Sequence, residues 1–221
     1  MAKPSILFIG KKENVFCEIA QDTIRRSFPC SSLAIGKRGD PFPDDLRNWR
    51  GDYVLSYLSP WIVPECVLKN AATAAVNFHT GPPEYPGIGC TNFAIYNGES
   101  RFGVTCHHMA PRVDTGPIIA VRRFPLYEHD SGWSLTQRCY VAIQSLFYEI
   151  IDMILDGREL PTSEEMWTRT PYKRSELNAL CEITLDMSES EIARRVRAVT
   201  FPGAPGAFIV INGMRFDCVD H

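Results

Sequence analysis

The 221-residue sequence has little net charge and no long apolar run. Lys and Arg together number 23 and Asp and Glu 26, so the formal net charge is −3, and no basic face or arm of the kind that binds nucleic acid is visible. No apolar stretch approaches the ~20 residues of a membrane span, and the amino terminus shows no apolar core of a signal peptide. We therefore expect a cytoplasmic protein with neither nucleic acid nor a membrane as a partner.

The sequence also lacks the patterns of a disulfide framework, a metal site or a dinucleotide cofactor. None of its eight cysteines forms a C-x-x-C pair, so we expect reduced thiols. A zinc hydrolase is one alternative, because the sequence contains five candidate ligands: His79, Cys90, Cys106, His107 and His108. Their spacing matches no known ligand set. The loop after the first apolar run has no G-x-G-x-x-G motif. We therefore expect no metal and no dinucleotide.

The apolar runs that are present alternate with helical patterns. They predict strands at 5–10, 31–36, 52–59, 73–79, 102–109 and 116–126. Helices are predicted at 13–27, 64–72 and 135–154. A capping box of Ser134 and Gln137 is expected to begin the third helix, and Gly157 to end it. This alternation predicts a Rossmann-like α/β domain over residues 1–160, with a mostly parallel sheet and helices on both faces.

The rest of the chain is predicted to be a small appendage. Residues 161–178 are polar and have no clear period, which is typical of a connector. Residues 179–221 predict a small α/β subdomain, with a strand at 180–186, a helix capped by Ser188 and a β-hairpin that turns at the Asn-Gly pair 212–213. The edges of this ribbon need covering, and a homodimer through the hairpin is one way to cover them.

Two polar side chains end the fourth predicted strand. Asn77 and His79 are separated by one residue and therefore point to the same face, at the carboxyl end where open α/β sheets bind ligands. Asp114 lies in a Gly-containing turn between the next two strands. The three side chains can converge as polariser, acid/base and orienting group. The alternative is a His79 that only satisfies a turn carbonyl, with Asn77 helping.

Three stretches carry a more specific pattern: NFHTGPPEYPG from residue 77, TNFAIYNGE from residue 91 and GVTCHHMAPRVDTGPII from residue 103. Their order and spacing resemble the formyltransferases that use N10-formyltetrahydrofolate. LSYLSPWIVPECVL (55–68) resembles the strand, loop and helix that line the folate pocket of this family. VTFPGAPGAFIVINGMRF (199–216) resembles the tail of members that act on sugars. The resemblance extends over most of the chain from residue 52.

The resemblance implies an N-formyltransferase with N10-formyltetrahydrofolate as co-substrate. Asn77, His79 and Asp114 match the family's catalytic Asn, His and Asp. His107 matches a histidine that is common in the fifth strand and is not usually given a chemical role, and Pro86 stands where many members have Arg. The residues expected to bind the cofactor are Tyr57, Leu58, Ser59, Trp61, Ile62 and Asp114.

Within this family, we expect a nucleotide-linked amino sugar as the acceptor. The chain is shorter and more acidic than methionyl-tRNA formyltransferases, has no S-L-L-P loop of glycinamide ribonucleotide transformylases, and shows no amino-terminal regulatory domain of formyltetrahydrofolate hydrolases. A sensing module without activity is the non-enzymatic alternative.

Lys11 or Lys12 is expected to bind a phosphate of the substrate, although plain surface lysines are at least as good an interpretation. Tyr85 and Gly87 are also expected to contact the substrate. Polysaccharide or O-antigen biosynthesis is the expected setting.

Overall fold

The computed structural model describes residues 3–203 and 206–218 and contains a six-stranded sheet. Its strands are β1 (Ile6–Lys11), β2 (Ser31–Gly36), β3 (Gly51–Tyr57), β4 (Ala71–His79), β5 (Arg101–His108) and β6 (Ile118–Pro125). The spatial order is β2-β1-β3-β4-β5-β6. The first four strands pair in parallel, whereas β5 runs antiparallel to both β4 and β6. The predicted α/β fold with a mostly parallel sheet is confirmed.

Helices cover both faces of this sheet. They are α1 (Val15–Ser27), α2 (Glu65–Lys69), α3 (Cys90–Asn97), α4 (Gly132–Leu155), α5 (Arg174–Cys181) and α6 (Glu189–Val199), and a 3-10 turn spans Asp44–Leu46. Successive strand residues enter different cores because side chains alternate between the two faces. Ile6 and Phe8 pack with α1 and α4, whereas Leu7 and Ile9 pack on the face that α2 covers.

The long helix α4 begins at Gly132 rather than at the predicted residue 135. Its N-cap is Ser131, whose hydroxyl accepts a hydrogen bond from the Ser134 amide at 3.2 Å, while the Ser134 hydroxyl accepts one from the Ser131 amide at 2.9 Å. The predicted pair of Ser134 and Gln137 is therefore wrong, because two serines form the reciprocal bonds one turn earlier. Gly157, with φ of 67°, follows the helix as expected.

The predicted strand at 180–186 is mostly wrong. Helix α5 extends to Cys181, and only Glu182–Ile183 (β7) is extended. The Lys173 amide donates to the Glu176 carboxylate at 2.8 Å, and this bond caps a helix inside the stretch predicted as a connector. Because that stretch is polar and has no apolar period, the sequence did not predict a helix there.

Helix α6 and the hairpin agree with their predictions. Ser188 caps α6 by accepting a hydrogen bond from the Glu191 amide at 3.2 Å. The hairpin is formed by β8 (Phe208–Ile211) and β9 (Met214–Asp217), and β7 pairs with β8. The two residues of its turn, Asn212 and Gly213, have φ of 51° and 79°, as a tight two-residue turn requires.

The carboxyl-terminal part packs onto the rest of the molecule. Leu180, Ala198 and Val199 belong to the same buried cluster as residues of α3 and α4, and the Asn92 side chain donates to the Ala198 carbonyl at 2.8 Å. The hydrophobic core therefore continues across the boundaries expected near residues 160 and 178, which stay predictions. In the part of the chain that the structure describes, no helix is long and apolar enough to cross a membrane.

Candidate active site

The end of β4 places Asn77 and His79 in one cavity. Val76 and Phe78 point into the core shared with α1 and α4, so Asn77 and His79 point to the opposite face. There they line a cavity of about 230 Å³, together with Asp114. The three residues singled out in the sequence therefore meet, and His79 is only 7% exposed.

Asp114 reaches this cavity from the loop between β5 and β6. Because β5 runs antiparallel to β4, His107 lies opposite Asn77, and the loop after it turns back toward His79. Asp114 has φ of 47°, a left-handed conformation that is uncommon for residues other than glycine. Its Oδ2 lies 3.3 Å from His79 Nδ1 and accepts a hydrogen bond from the Gly87 amide at 2.7 Å. Both contacts hold the carboxylate beside the imidazole.

Asp114 is a buried carboxylate between two imidazoles, since its Oδ1 lies 3.2 Å from His107 Nε2. Burial alone raises the pKa of Asp114. The charge of His79, the hydrogen bond and charge of His107 and the Gly87 amide outweigh burial and lower the pKa from 3.8 to about 2. Asp114 is therefore ionised at neutral pH and places a full negative charge beside both rings.

The second nitrogen of His79 meets a backbone carbonyl. His79 Nε2 lies 2.9 Å from the Tyr85 carbonyl oxygen, which can only accept, so this nitrogen carries a hydrogen. The sequence left open the alternative that His79 only contacts a turn carbonyl. The structure contains that contact and also the contact with Asp114. Oxygen acceptors beside both nitrogens suit the doubly protonated ring, the form that can stabilise a developing negative charge.

His107 belongs to the site although the sequence gave no reason to assign it a role. Its Nδ1 donates to the His108 carbonyl at 2.8 Å, and its Nε2 lies 3.1 Å from Asn77 Nδ2 as well as beside Asp114. The side chain is 2% exposed, so it contacts Asn77 and Asp114 from the protein interior. The signal that identifies it is its pairing with Asn77 across the strands, which requires β5 to be antiparallel.

The loop after β3 forms another wall of the cavity. Four residues predicted to bind the folate line it: Leu58, Ser59, Trp61 and Ile62. The Ser59 hydroxyl accepts from the Trp61 amide at 3.0 Å, and the Trp61 indole donates to the Asp40 carbonyl at 2.7 Å. The loop is therefore held by a hydrogen bond of its own and by one to the loop after β2. Ile62 is 75% exposed and offers an apolar side chain to a ligand.

Tyr57 does not reach this cavity, and its predicted contact with the folate is wrong. Its side chain is fully buried, and its hydroxyl donates to Gln144 of α4 at 3.0 Å. Its ring packs against three phenylalanines, Phe8, Phe78 and Phe147. As the last residue of β3, Tyr57 points to the face opposite the cavity because strand side chains alternate.

Tyr85 and Gly87 support the site from within the protein. The Tyr85 side chain is buried, and its hydroxyl donates to Glu99 at 2.6 Å. Gly87 has φ of 89°, and a Cβ there would come within 2.5 Å of the Tyr172 carbonyl oxygen. Their backbones contact His79 and Asp114, as described above, whereas the predicted contact of the Tyr85 side chain with the substrate is wrong because that side chain is enclosed.

Lys11 and Lys12 lie at the carboxyl end of β1. Both side chains are exposed, and neither lines the cavity of His79. The next residue, Glu13, pairs with Lys37 from the loop after β2 at 2.5 Å. A contact of either lysine with a phosphate stays a prediction.

The cysteines and histidines that suggested a metal site do not form one group. Within residues 3–203 and 206–218, no three His, Cys, Asp or Glu side chains are placed to hold a metal ion. Burial raises the pKa of both the Cys90 and the Cys106 thiols, whereas a metal-binding cysteine needs a lowered pKa. Cys90 donates instead to the Thr80 carbonyl at 3.2 Å.

A second unassigned residue comes from the stretch predicted as a connector. The indole of Trp167 packs against the rings of both His79 and His107. Because residues 161–173 have no periodic pattern, nothing in the sequence indicated that this stretch lies against His79 and His107.

The family of the protein follows from comparison with known proteins. Residues 40–151, about half of the chain, match the family model described as formyl transferase. The chain therefore belongs to the formyl transferase family. This membership confirms the family that the sequence motifs indicated.

Individual relatives differ in what they act on. The chain is 24% identical over 212 residues to methionyl-tRNA formyltransferase of Lactobacillus gasseri, and the match covers 94% of this chain but 66%, less than two thirds, of that relative. It is similar to the structure of a sugar N-formyltransferase of Shewanella sp., with a TM-score of 0.76, 17% identity and 97% and 96% of the two chains covered.

A further similar structure was solved with ligands. It is an N-formyltransferase of Helicobacter canadensis in complex with folinic acid and dTDP-3-aminofucose, with a TM-score of 0.73, 19% identity and 94% and 84% of the two chains covered. At these identities, both structural likenesses show a shared fold.

Proposed function

We propose that this protein transfers the formyl group of N10-formyltetrahydrofolate to the amine of a nucleotide-linked amino sugar and releases tetrahydrofolate. The observation that carries the proposal is the meeting of Asn77, His79 and Asp114 in one cavity beside the loop after β3. A binding module needs the cavity, but it does not need an ionised carboxylate buried against an imidazole and next to an amide donor.

The three side chains suit acyl transfer. The amine nitrogen attacks the formyl carbon, a C–N bond forms, and the bond from that carbon to folate N10 breaks. The carbonyl oxygen becomes negative on the way, and Asn77 Nδ2 and protonated His79 stabilise it with hydrogen bonds. Nδ2 carries two hydrogens, so one can stay on Asp114 Oδ1, which lies 3.5 Å away, while the other faces the oxyanion. Asp114 orients His79 and balances its positive charge.

A proton must leave the amine, and another must reach folate N10. An imidazole is suited to carry it, because its unperturbed pKa is near neutral. In the free protein both nitrogens of His79 are engaged, by Asp114 and by the Tyr85 carbonyl, so one contact must open during the reaction. The contact with Tyr85 has a neutral acceptor and therefore costs less to open than the contact with the carboxylate.

The pterin of the folate is assigned to the loop formed by Leu58, Ser59, Trp61 and Ile62, with the turn of Asp114 opposite. Trp61→Ala should raise the KM for the formyl-folate several-fold, because the indole both lines the cavity and fixes the loop, and should change the sugar KM much less. Steady-state kinetics with each substrate varied in turn measure this. A change confined to the sugar KM would mean that the two ligands are placed in the wrong order.

A second cavity supports an anionic acceptor. It measures about 650 Å³ and is lined by the loop after β2, α5 and the hairpin. Arg38 and Arg174 line it without a described carboxylate as partner, and burial together with the charge of Arg38 lowers the pKa of Arg174. A diphosphate would offset these two charges. Phe201 lines the same cavity and offers an aromatic ring for a nucleotide base, whereas the Arg215 guanidinium covers one face of Phe208.

The test is a turnover assay with dTDP-, GDP- and UDP-linked 3- and 4-amino-deoxy sugars. We expect formylation of at least one of them, with release of tetrahydrofolate. Replacing Arg38 and Arg174 together by Ala should raise the sugar KM by about tenfold, since two charge-assisted contacts are lost, and should leave the folate KM unchanged. Arg158→Ala, at the exposed end of α4, is the matched control and should change neither KM.

Methionyl-tRNA is the second candidate acceptor, because the Lactobacillus gasseri relative carries that name. The same assay includes methionyl-tRNA, glycinamide ribonucleotide and water as acceptors. Activity on one of these with none on any amino sugar would reject the proposed acceptor. Binding of the folate without turnover on any acceptor would favour a sensing module.

A homodimer through the hairpin is part of the proposal. Ile211, Met214 and Phe216 share one face of the hairpin and are each at least 40% exposed, and a ribbon with an apolar face and a free edge along β9 is stabilised by a second copy. Light scattering after gel filtration should give a dimer, and Phe216→Lys should give a monomer. A monomeric unmodified protein would contradict this.

The cytoplasmic location and a role in O-antigen or polysaccharide biosynthesis stay predictions.

A further inference from the structure

Residues 161–173, which we call the strap, bind to both parts of the chain that surround the catalytic residues. Three backbone amides of the strap donate to backbone carbonyls at 2.8, 3.2 and 2.9 Å: Ser163 to Ile118 of β6, Thr168 to Pro83 and Tyr172 to Pro86. The first bond ties the strap to the strand that follows the Asp114 loop. The other two tie it to the proline-rich loop that follows His79.

An ion-pair network holds the same two parts together. Arg123 of β6 donates to both carboxylate oxygens of Glu84 in the proline-rich loop, at 2.9 and 3.1 Å, and also to Glu165 of the strap. The strap is therefore fixed on both sides of its middle residues, and the position of Trp167 is set by its backbone as well as by its own contacts.

The Trp167 side chain contacts three components of the site. Its ring centroid lies 5.0 Å from that of His107, with the planes at 90°, and 5.8 Å from that of His79, with the planes at 70°. Its Nε1 donates to the Gly116 carbonyl at 2.8 Å, two residues after Asp114. Trp167 does not line the cavity shared by Asn77, His79 and Asp114, so it contacts His79 and His107 from outside the ligand space.

We propose that Trp167 is a positioning residue for formyl transfer, which holds the two imidazoles and the Asp114 loop in their relative places. The indole contacts both rings that flank the carboxylate and anchors the loop that carries it, so a single side chain sets all three. The Asp114 backbone has a positive φ, a conformation that persists when surrounding contacts enforce it, and the bond from Trp167 to Gly116 is one such contact.

The expected consequence is a loss of rate rather than of affinity. A displacement of ~1 Å among catalytic groups can cost about 10²-fold in rate, whereas the cavity walls that bind the ligands are formed by other residues. Trp167→Ala should therefore lower kcat at least tenfold and leave the KM of each substrate within about threefold. Trp167→Phe keeps an aromatic ring but loses the bond to Gly116, so its kcat should lie between those of the unmodified protein and Trp167→Ala.

The matched control is Met166→Ala, the neighbouring strap residue, which is 78% exposed and should leave kcat unchanged. A second measurement needs no acceptor, and so separates this inference from the amino-sugar proposal. In the ligand-free full chain, the imidazole nitrogen NMR signals of His79 and His107 should move in Trp167→Ala and stay in place in Met166→Ala.

Two results would overturn the inference. One is an unchanged kcat in a folded Trp167→Ala, and the other is unchanged imidazole signals of both histidines in that variant. If Trp167→Ala does not fold, Trp167→Phe decides. A Phe variant with full kcat and with signals identical to those of the unmodified protein would show that the bond to Gly116 positions nothing.

Discussion

Asp114 and Glu191 are two carboxylates whose pKa values are both lowered to about 2, and they reach this value in opposite ways. Glu191 lies in the first turn of α6 and accepts hydrogen bonds from the guanidinium groups of Arg195, at 2.7 Å, and Arg194. It also accepts one from the Tyr96 hydroxyl at 2.9 Å. Asp114 has no such strong donors. It is enclosed, and two imidazoles and one amide offset the cost of its burial.

The difference shows which carboxylate can do chemistry. Water and salt can replace the partners of Glu191 at the surface. The bonds that lower its pKa therefore stabilise only the contact between α6 and α3. Nothing replaces the partners of Asp114, so its charge acts unscreened on His79 and His107. A low pKa by itself therefore does not identify a catalytic group, whereas a low pKa in a buried cavity with titratable partners marks a candidate for one.

The largest expected effect is on turnover at the buried carboxylate. His79→Ala and Asn77→Ala should each lower kcat by at least ~10²-fold, because losing one oxyanion donor costs about 10²–10³ in well-studied enzymes. Asp114→Asn should be comparably severe, because an amide can hydrogen-bond to His79 but supplies no charge. Steady-state kinetics with folding checked by circular dichroism test this.

The matched control for these three variants is Glu191→Gln, which removes the other low-pKa carboxylate and should keep kcat. Near-normal turnover in folded His79→Ala would show that His79 only satisfies the Tyr85 carbonyl. Unfolding of all three variants would instead assign these side chains a structural role.

The next effect is the dependence of stability on pH. The pKa of Asp114 is about 2 in the folded protein and 3.8 without its partners, so the ionised carboxylate stabilises the fold above pH 3.8. This contribution is lost as the pH falls through about 2. At about 1.4 kcal/mol per pKa unit, it amounts to about 2 kcal/mol.

Chemical denaturation at a series of pH values from 5 to 2 measures this contribution. The difference in free energy of unfolding between the unmodified protein and Asp114→Asn should shrink toward pH 2, because protonation removes the charge that the variant already lacks. His79 on β4, His107 on β5 and the Gly87 amide face the carboxylate. A difference that stays constant over this range would mean that these partners do not hold the ionised form.

The smallest expected effect is at Glu191, the partly exposed carboxylate. Glu191→Gln should lower the free energy of unfolding by no more than about 1 kcal/mol, as is usual for ion pairs in contact with water. About 1 M salt should remove most of this loss, since charges at a surface are screened over a few ångströms at that concentration. The loss caused by Asp114→Asn should persist in the same salt. Equal salt sensitivity of the two variants would contradict the contrast between them.

The pairing of Asn77 with His79 could be predicted because it depends only on the alternation of side chains along one strand. Tyr57 could have been predicted in the same way. It lies inside the predicted strand, which reached residue 59, and inside β3, which ends at Tyr57, so alternation from Leu55 places its side chain in the core. Its assignment to the folate followed the resemblance of the loop instead. The cap of α4 was misplaced because Ser131 and Ser134 both begin plausible capping boxes.

Chain-local patterns thus determined the α/β fold, the amide and imidazole at the end of β4, the tight hairpin and, by motif order, the family. The tertiary structure decided what surrounds those groups. His107 joins the site because β5 is antiparallel to β4 and places it opposite Asn77, and Trp167 joins it because the strap packs between two distant loops. Periodicity reports which face of its own element a residue occupies. It carries no information about which other element will cover that face, because such contacts join residues far apart in the chain and depend on how the elements pack.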